Sequence, residues 1–263
     1  MNRTERYHKA KETFNRFRPK WLRSPAITLT RKLLDILFLN YHLKEERNCL
    51  ALSFKEGILK GQKILFPSPN DFICSVPIEL PGYFADGKSI KPGNAVFDGG
   101  AWPGDFTVIA SRLVGPTGRV YAFEPNPEGA EYLRRMLKVN NCTNVYVFEE
   151  ALSNNNQSSR FFTDGMSSKL DTSGQIEVSN ITIDDFVQKT EQPDLIKLDV
   201  EGAEMDIVSA ASNTIKSKHP AWAIASYHVV NGQQTRFSLE YTLAKVYSRV
   251  RTGYPLHQTT FAV

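Results

Sequence analysis

The chain has little cysteine, no long apolar run and almost no net charge, and each shortage removes a class of protein. Its cysteines, Cys49, Cys74 and Cys142, are odd in number and widely spaced in 263 residues. Neither a disulfide framework nor a cysteine metal cluster can be built from them, and thiols left reduced fit a cytoplasmic compartment. The most concentrated apolar stretch of the N-terminal region, residues 33–43, is interrupted by Asp35, Asn40 and His42. It falls far short of the ~20 apolar residues that cross a bilayer, and the basic residues before it do not form a secretory signal. A formal net charge of +4 is too small to argue for nucleic acid as a bulk partner. What remains, 41% apolar and 23% charged residues, is the composition of a globular chain large enough to bury its own core.

Residues 1–32 carry ten Lys or Arg against two Glu. They read as a solvated basic segment, with contact to a membrane surface as the alternative. Residues 1–45 read as two helical pieces broken by Pro19 and Pro25. Leu33, Leu34, Ile36, Leu37 and Leu39 give the second piece an apolar face that needs cover, from the main domain or from a second copy in a homodimer. Residues 46–90 read as short strands and turns, with 63–66 and 72–76 flanking a turn at Pro67, Pro69, Asn70 and Asp71. From residue 92 strands and helices alternate. Strands are expected at 95–97, 119–123, 144–149, 195–198 and 222–226, and helices at 128–140, 182–188 and 203–212. Residues 154–159 and 171–179 read as loops, or as a small antiparallel insertion around Arg160–Phe162. This order predicts an α/β fold with a mostly parallel sheet covered on both faces. It divides the chain into 1–90, a helical extension with a small β cap, and 91–263, the main domain.

In an open parallel sheet, ligands bind beyond the carboxyl ends of the strands. Asp98-Gly99-Gly100-Ala101-Trp102-Pro103-Gly104 follows the first such strand directly, and paired glycines permit a tight turn there. The turn lacks the Gly-x-Gly-x-x-Gly spacing of a dinucleotide site, and no Gly-Lys-Ser or Gly-Lys-Thr follows it. Glu124 ends the next strand, where a carboxylate can hold two ribose hydroxyls. Glu150-Ala151-Leu152-Ser153 follows the third strand and can border a nucleobase, with Glu149 as a competitor of opposite orientation.

Asp98-Gly99-Gly100-Ala101, Ala122-Phe123-Glu124-Pro125-Asn126-Pro127, Glu150-Ala151-Leu152-Ser153 and Lys197-Leu198-Asp199-Val200-Glu201-Gly202-Ala203-Glu204 together resemble the FkbM family of methyltransferases over roughly residues 92–230. The resemblance implies a Rossmann-like class I methyltransferase fold with a seven-stranded sheet, ending in an antiparallel pair to which residues 254–263 contribute. It implies S-adenosylmethionine as the methyl donor. Asp98, Gly99, Gly100, Ala101 and Gly104 would line its methionine part. Glu124, with Pro125 and Asn126, would bind its ribose, and Glu150 with Ala151 would border its adenine. Trp102-Pro103-Gly104 departs from the Asn-x-Gly pattern often found there and reshapes the pocket edge. The implied reaction is O-methylation of a hydroxyl on a sugar, glycan, glycolipid or other small-molecule natural product. The alternatives are an RNA-directed or N-directed methyltransferase, or a silent donor-binding scaffold.

Methyl transfer needs an aligned acceptor oxygen and a route for its proton. Lys197, Asp199 and Glu201 at the fourth strand tip, and His228 after the fifth strand, are the catalytic candidates. Asp199 or Glu201 would orient the hydroxyl or take its proton. Lys197 would stabilise an alkoxide or pair with a carboxylate. His228 has a resting pKa suited to a base, and the resembling family tends to carry a histidine at this point. Glu204 reads equally well as a helix-start acid. Asp199, Glu201, Glu204 and His228 offer hard ligands, but their spacing does not establish a site and no metal is predicted. Ser167 and Ser168, with Tyr83, Phe84 and Trp102, are candidate acceptor-pocket residues. His8, His42, His219 and His257 have no supporting context.

Overall fold

The structure, a computed structural model, describes residues 41–46, 49–55, 59–67, 80–84, 90–162, 169–170, 172–253 and 257–263. The basic segment 1–32, the apolar face at 33–39, the expected strand at 72–76, and Ser167 with Ser168 lie outside the described residues. The chain divides into two compact units, Met1–Pro81 and Gly82–Val263.

The first unit contains an antiparallel meander of β1 (Tyr41–Glu46), β2 (Cys49–Phe54) and β3 (Lys63–Phe66), with β2 in the middle. The helical expectation for residues 41–45 is thus corrected. Lys44, Glu45 and Glu46 are ordinary helix formers, but the ladder from Tyr41 opposite Phe54 to Glu46 opposite Cys49 overrides that local preference. Ala51, Leu52, Phe54, Ile64 and Phe66 are buried.

The second unit begins within α1 (Leu80–Phe84) and continues through β4 (Ala95–Gly99), α2 (Asp105–Val114), β5 (Arg119–Phe123), α3 (Pro127–Val139), β6 (Val145–Phe148), β7 (Glu150–Leu152), β8 (Ser158–Phe162), β9 (Lys169–Leu170) and β10 (Ile176–Ile181). There follow α4 (Ile183–Lys189), β11 (Leu195–Leu198), α5 (Glu204–Ala210), α6 (Ser212–Lys218), β12 (Ala221–Ala225), β13 (Val229–Val230), β14 (Gln233–Gln234), α7 (Thr235–Leu243), β15 (Val250–Gly253) and β16 (Thr259–Ala262). Seven strands form the main sheet in the order β15-β16-β12-β11-β4-β5-β6. All of its neighbouring pairs are parallel except those of β16, which runs against both β12 and β15. This is the Rossmann-like sheet of a class I methyltransferase. The chain order reverses between β4 and β11, so the switch point, and with it the binding crevice, lies at their carboxyl ends.

Local chemistry explains the elements around that crevice. Every residue of β4, β11 and β12 is buried, as central strands covered on both faces require. Asn126 caps α3 by accepting from the Glu128 N–H at 3.1 Å, and Pro127 takes the first helical position, where no donor is needed. Thr182 caps α4 in the same way through Asp185 N–H at 3.1 Å. The core is aromatic. Phe186 of α4 meets the edges of Phe97, Phe123 and Phe148 at ring-centroid separations of 5.3, 4.8 and 4.9 Å.

Two other expectations are corrected. The helix expected over 203–212 breaks at Ala211 into α5 and α6. Residues 171–179 are not all loop, because β10 begins at Ile176 and joins a side sheet of order β7-β10-β8-β9. Among the described residues its core is Ala151, Phe161 and Val178, with half-buried Ile176 beside them. So small an apolar set leaves no clear alternation in the sequence.

Candidate active site

The glycine turn after β4 is built around a buried ion pair. Asp98 and Lys197 are register partners on adjacent strands, and Lys197 Nζ lies 3.0 Å from Asp98 Oδ1. The same ammonium donates to the carbonyls of Gly100 at 2.7 Å and Gly99 at 3.3 Å. The Thr107 hydroxyl donates to Asp98 Oδ2 at 2.5 Å. Burial would lower the Lys197 pKa, but Asp98 and Asp199 outweigh it and hold the amine above its ordinary value. Gly100 has φ 71°, and a Cβ there would strike the carbonyl of Asp199. Gly104, at φ 104°, would bring a Cβ within 2.7 Å of Leu133 Cδ1. Glycine is therefore required at these positions by the seating of the turn on β11 and α3.

Glu124, beyond the end of β5, is 5% exposed. Its Oε2 accepts from the Trp102 N–H at 3.1 Å and its Oε1 from the Asn126 N–H at 3.0 Å. Each oxygen keeps a second lone pair. Burial disfavours the charge and pushes the Glu124 pKa up to about 7, against the two N–H bonds and Lys197. Asp105, at the start of α2, is pushed up to about 6 for the same first reason. Glu149 pairs with Arg134 at 2.6 Å on the surface. Glu150 opens β7, Ala151 is buried behind it, and Leu152 packs toward Gly99.

The second cluster gathers at the tips of β11 and β12. Asp199 Oδ2 accepts from the Tyr83 hydroxyl at 2.7 Å, and Oδ1 from the Tyr227 hydroxyl at 3.3 Å. Burial would raise the Asp199 pKa, but Lys197 first, then His228 and the Tyr83 hydrogen bond, hold it below the usual carboxylate range. Beyond Asp199 the chain turns through two left-handed residues, Glu201 at φ 55° and Gly202 at φ 105°. Glu204 Oε1 fastens this turn, accepting from the N–H groups of Val200 and Gly202, both at 3.2 Å. His228 enters between the carboxylates. Its Nδ1 lies 2.8 Å from Glu204 Oε1, and its Nε2 lies 3.5 Å from Glu201 Oε2 and 3.8 Å from Asp199 Oδ1. Burial would lower its pKa, but Glu204 first and then Asp199 and Glu201 raise it to about 9.

The structure thus brings Asp98, Gly99, Gly100, Lys197, Asp199, Glu201 and His228 to one sheet edge. It adds Tyr83, Tyr227 and His257, the last of which has no supporting context in the sequence. His257 Nε2 lies 3.3 Å from the Tyr83 hydroxyl and Nδ1 lies 3.1 Å from Thr259 Oγ1. Burial lowers its pKa to about 4, so the ring is neutral. A residue just before a final antiparallel strand stands at the carboxyl edge of the parallel ones, and that position was the signal available for His257. A further motif, Gly82-x-x-x-x-Gly87-Lys88-Ser89, has phosphate-loop spacing. Its first residues, Gly82 to Phe84, lie in the helix α1, whereas the first glycine of a phosphate loop leaves a strand. Phe84 stacks on Phe106 at 5.3 Å, and Trp102 meets Tyr132 at 5.0 Å.

Solved structures share this fold. The FkbM methyltransferase of Methylobacillus flagellatus is 19% identical with a TM-score of 0.45, over 65% of this chain and 44% of that one. The chain therefore spans less than half the length of that protein. Fibrillarin of Aeropyrum pernix, solved with natively bound S-adenosylmethionine, is 12% identical with a TM-score of 0.50, over 85% and 99%. A Thermotoga maritima S-adenosylmethionine-dependent O-methyltransferase is 16% identical with a TM-score of 0.45, over 76% and 65%. No curated protein matches the chain. No helix among the described residues is long and apolar enough to cross a membrane. The Methyltransferase FkbM domain profile matches residues 98–247, more than half of the sequence, and the chain belongs to the FkbM methyltransferases, with S-adenosylmethionine as the donor of its methyltransferase domain.

Proposed function

We propose that the protein O-methylates a hydroxyl of a sugar, glycan or related small molecule. One observation carries this reading: at the switch point, Asp199 stands among the hydroxyls of Tyr83 and Tyr227 and the imidazole of His228. That set suits an acceptor rich in hydroxyls.

The donor's residues fit it on the same grounds. Glu124 keeps two lone pairs beside a turn whose glycines leave room only for backbone, which suits a pair of adjacent hydroxyls. In this reading Glu124 holds the ribose, Asp98 to Gly104 line the methionine part, and Glu150 and Ala151 border the adenine. When bound, S-adenosylmethionine supplies a methyl group on a positively charged sulfur that departs as a neutral thioether. Lys197 acts as a positioning residue, tying Asp98 to the carbonyls of the turn. Asp199 accepts the hydrogen bond of the acceptor hydroxyl and aligns its oxygen. His228, protonated near neutrality, offsets the carboxylates around it and is not the base. The reduced thiol of Cys142 supports a cytoplasmic location.

The test is incubation with methyl-labelled donor and three acceptor sets: glycosides, amines and RNA. Label in an alkali-stable ether on a glycoside supports the reading. Label only on nitrogen or RNA overturns it.

A further inference from the structure

We propose that Asp199, Glu204 and His228 form a site for a divalent cation of the Mg²⁺ or Mn²⁺ class, and that this cation holds the acceptor through two neighbouring oxygens. One ligand atom from each residue can be chosen so that all three lie within 4.8 Å of one another. Around an ion with bonds of about 2.1–2.2 Å, ligands on opposite sides stand about 4.3 Å apart. Side-chain movement of roughly half an ångström therefore closes the set.

Three features single this cluster out from an ordinary acidic surface. Its members come from separate, well-anchored places: the tip of β11, the first turn of α5 and the residue following Tyr227 beyond β12. Glu204 is completely buried, yet its Oε2 has no hydrogen-bond partner. His228, with a side chain 8% exposed, has no directed hydrogen bond at either ring nitrogen, although carboxylates stand at both. Buried polar atoms are nearly always satisfied, and exceptions point to an ion or water. Charge gives the same answer. Asp199, Glu201 and Glu204 surround one imidazole, and Lys197 is already committed to Asp98 and two carbonyls.

Two carboxylates and one imidazole, which releases its proton to solvent when the cation binds, select a hard or borderline cation over a soft one. Three protein ligands leave coordination positions open. An acceptor hydroxyl and a second oxygen on the adjacent carbon would fill two of them, so the favoured acceptors are vicinal diols or α-hydroxy acids. A cation-bound hydroxyl loses its proton to water more readily, and the resulting oxygen forms the new bond to methyl. Glu201, 3.5 Å from His228 Nε2, stands at the rim of the site.

The inference rests on the methyl-transfer reading for its chemistry but not for its occupancy, and the experiment separates the two. The full chain is titrated with Mn²⁺ without donor, by calorimetry and by the paramagnetic resonance signal of free Mn²⁺. S-adenosylmethionine binding is measured on the same sample. The expected result is one Mn²⁺ per chain, with nitrogen modulation from a coordinated imidazole. Glu204→Gln and His228→Ala should each weaken binding at least tenfold. Glu204 also fastens a turn, so His228→Ala, checked by circular dichroism, keeps the test decisive if Glu204→Gln misfolds. Donor binding with no Mn²⁺ bound overturns the cation site and leaves methyl transfer standing. Mn²⁺ binding unchanged in His228→Ala overturns it as well. Mn²⁺ binding lost in the variants, with no donor bound by the parent chain, upholds the site and sinks the methyl-transfer reading.

Discussion

Two carboxylates stand at the tips of adjacent strands, and their surroundings differ. Asp98 is enclosed by Lys197 and the Thr107 hydroxyl, in a pair that also takes up the carbonyls of the glycine turn. Asp199 receives two tyrosine hydroxyls and faces a histidine ringed by further carboxylates. The first half balances its charge internally, Lys197 against Asp98, and acts as scaffold. The second half carries excess negative charge, three carboxylates around one imidazole, so it is the half arranged for something else to enter. Substitutions should therefore damage the first half as stability and the second half as function.

The largest effect belongs to the scaffold. Lys197→Met leaves Asp98 buried without its cation and the turn carbonyls without a donor, a class of change that costs about 3–5 kcal/mol. Urea denaturation measures it, and the double variant Asp98→Asn, Lys197→Met should recover part of the loss because no lone charge remains. A cost in Lys197→Met below about 1 kcal/mol would put that pair on the level of a surface salt bridge and dissolve the contrast. Gly100→Ala should cost about 2–3 kcal/mol in the same assay, since it places a Cβ at positive φ against the Asp199 carbonyl.

Asp199→Asn probes the other half. The variant should give one cooperative melting transition and lose roughly a hundredfold in turnover, because the acceptor hydroxyl loses the carboxylate that accepts its hydrogen bond and aligns its oxygen. Single-turnover measurement separates this from donor binding, which should change little. Near-normal turnover would move the acceptor contact away from β11.

How much of this contrast was legible in the sequence follows from how local its parts are. Asp98, Glu124 and Asp199 each end a short apolar strand, so period and position alone put them at one edge. The Lys197–Asp98 pair needed the strand register as well, which comes from the pairing of β4 with β11. Tyr83 reaches Asp199 from 116 positions away, from a five-residue helix, and His257 reaches Tyr83 from 174 positions away, from the approach to the last strand. No local pattern announces such approaches. The side sheet was hidden for another reason: Ser158, Ser159, Asn180 and their neighbours are polar, and their pairing depends on partners supplied by distant strands.

Glu124 offers the smallest effect and a test of which half it belongs to. Its two N–H partners make it resemble Asp98, but its spare lone pairs and its pKa of about 7 make it resemble the open half. The direction of the pH dependence follows from the raised pKa. An unfolded glutamate ionises near 4.5 and the folded one near 7, so the donor-free fold loses stability as pH rises between those values. Ribose hydroxyls donate to the charged carboxylate and favour it, so donor binding should tighten as pH rises through 7. If only the ionised form binds, the dissociation constant for S-adenosylmethionine falls about tenfold from pH 6 to pH 8. Glu124→Gln should bind more weakly and show a flatter profile, since an amide offers one acceptor oxygen and does not titrate. Calorimetry at the two pH values decides the matter. An equal change in both proteins would assign the pH dependence to another group and return Glu124 to the scaffold.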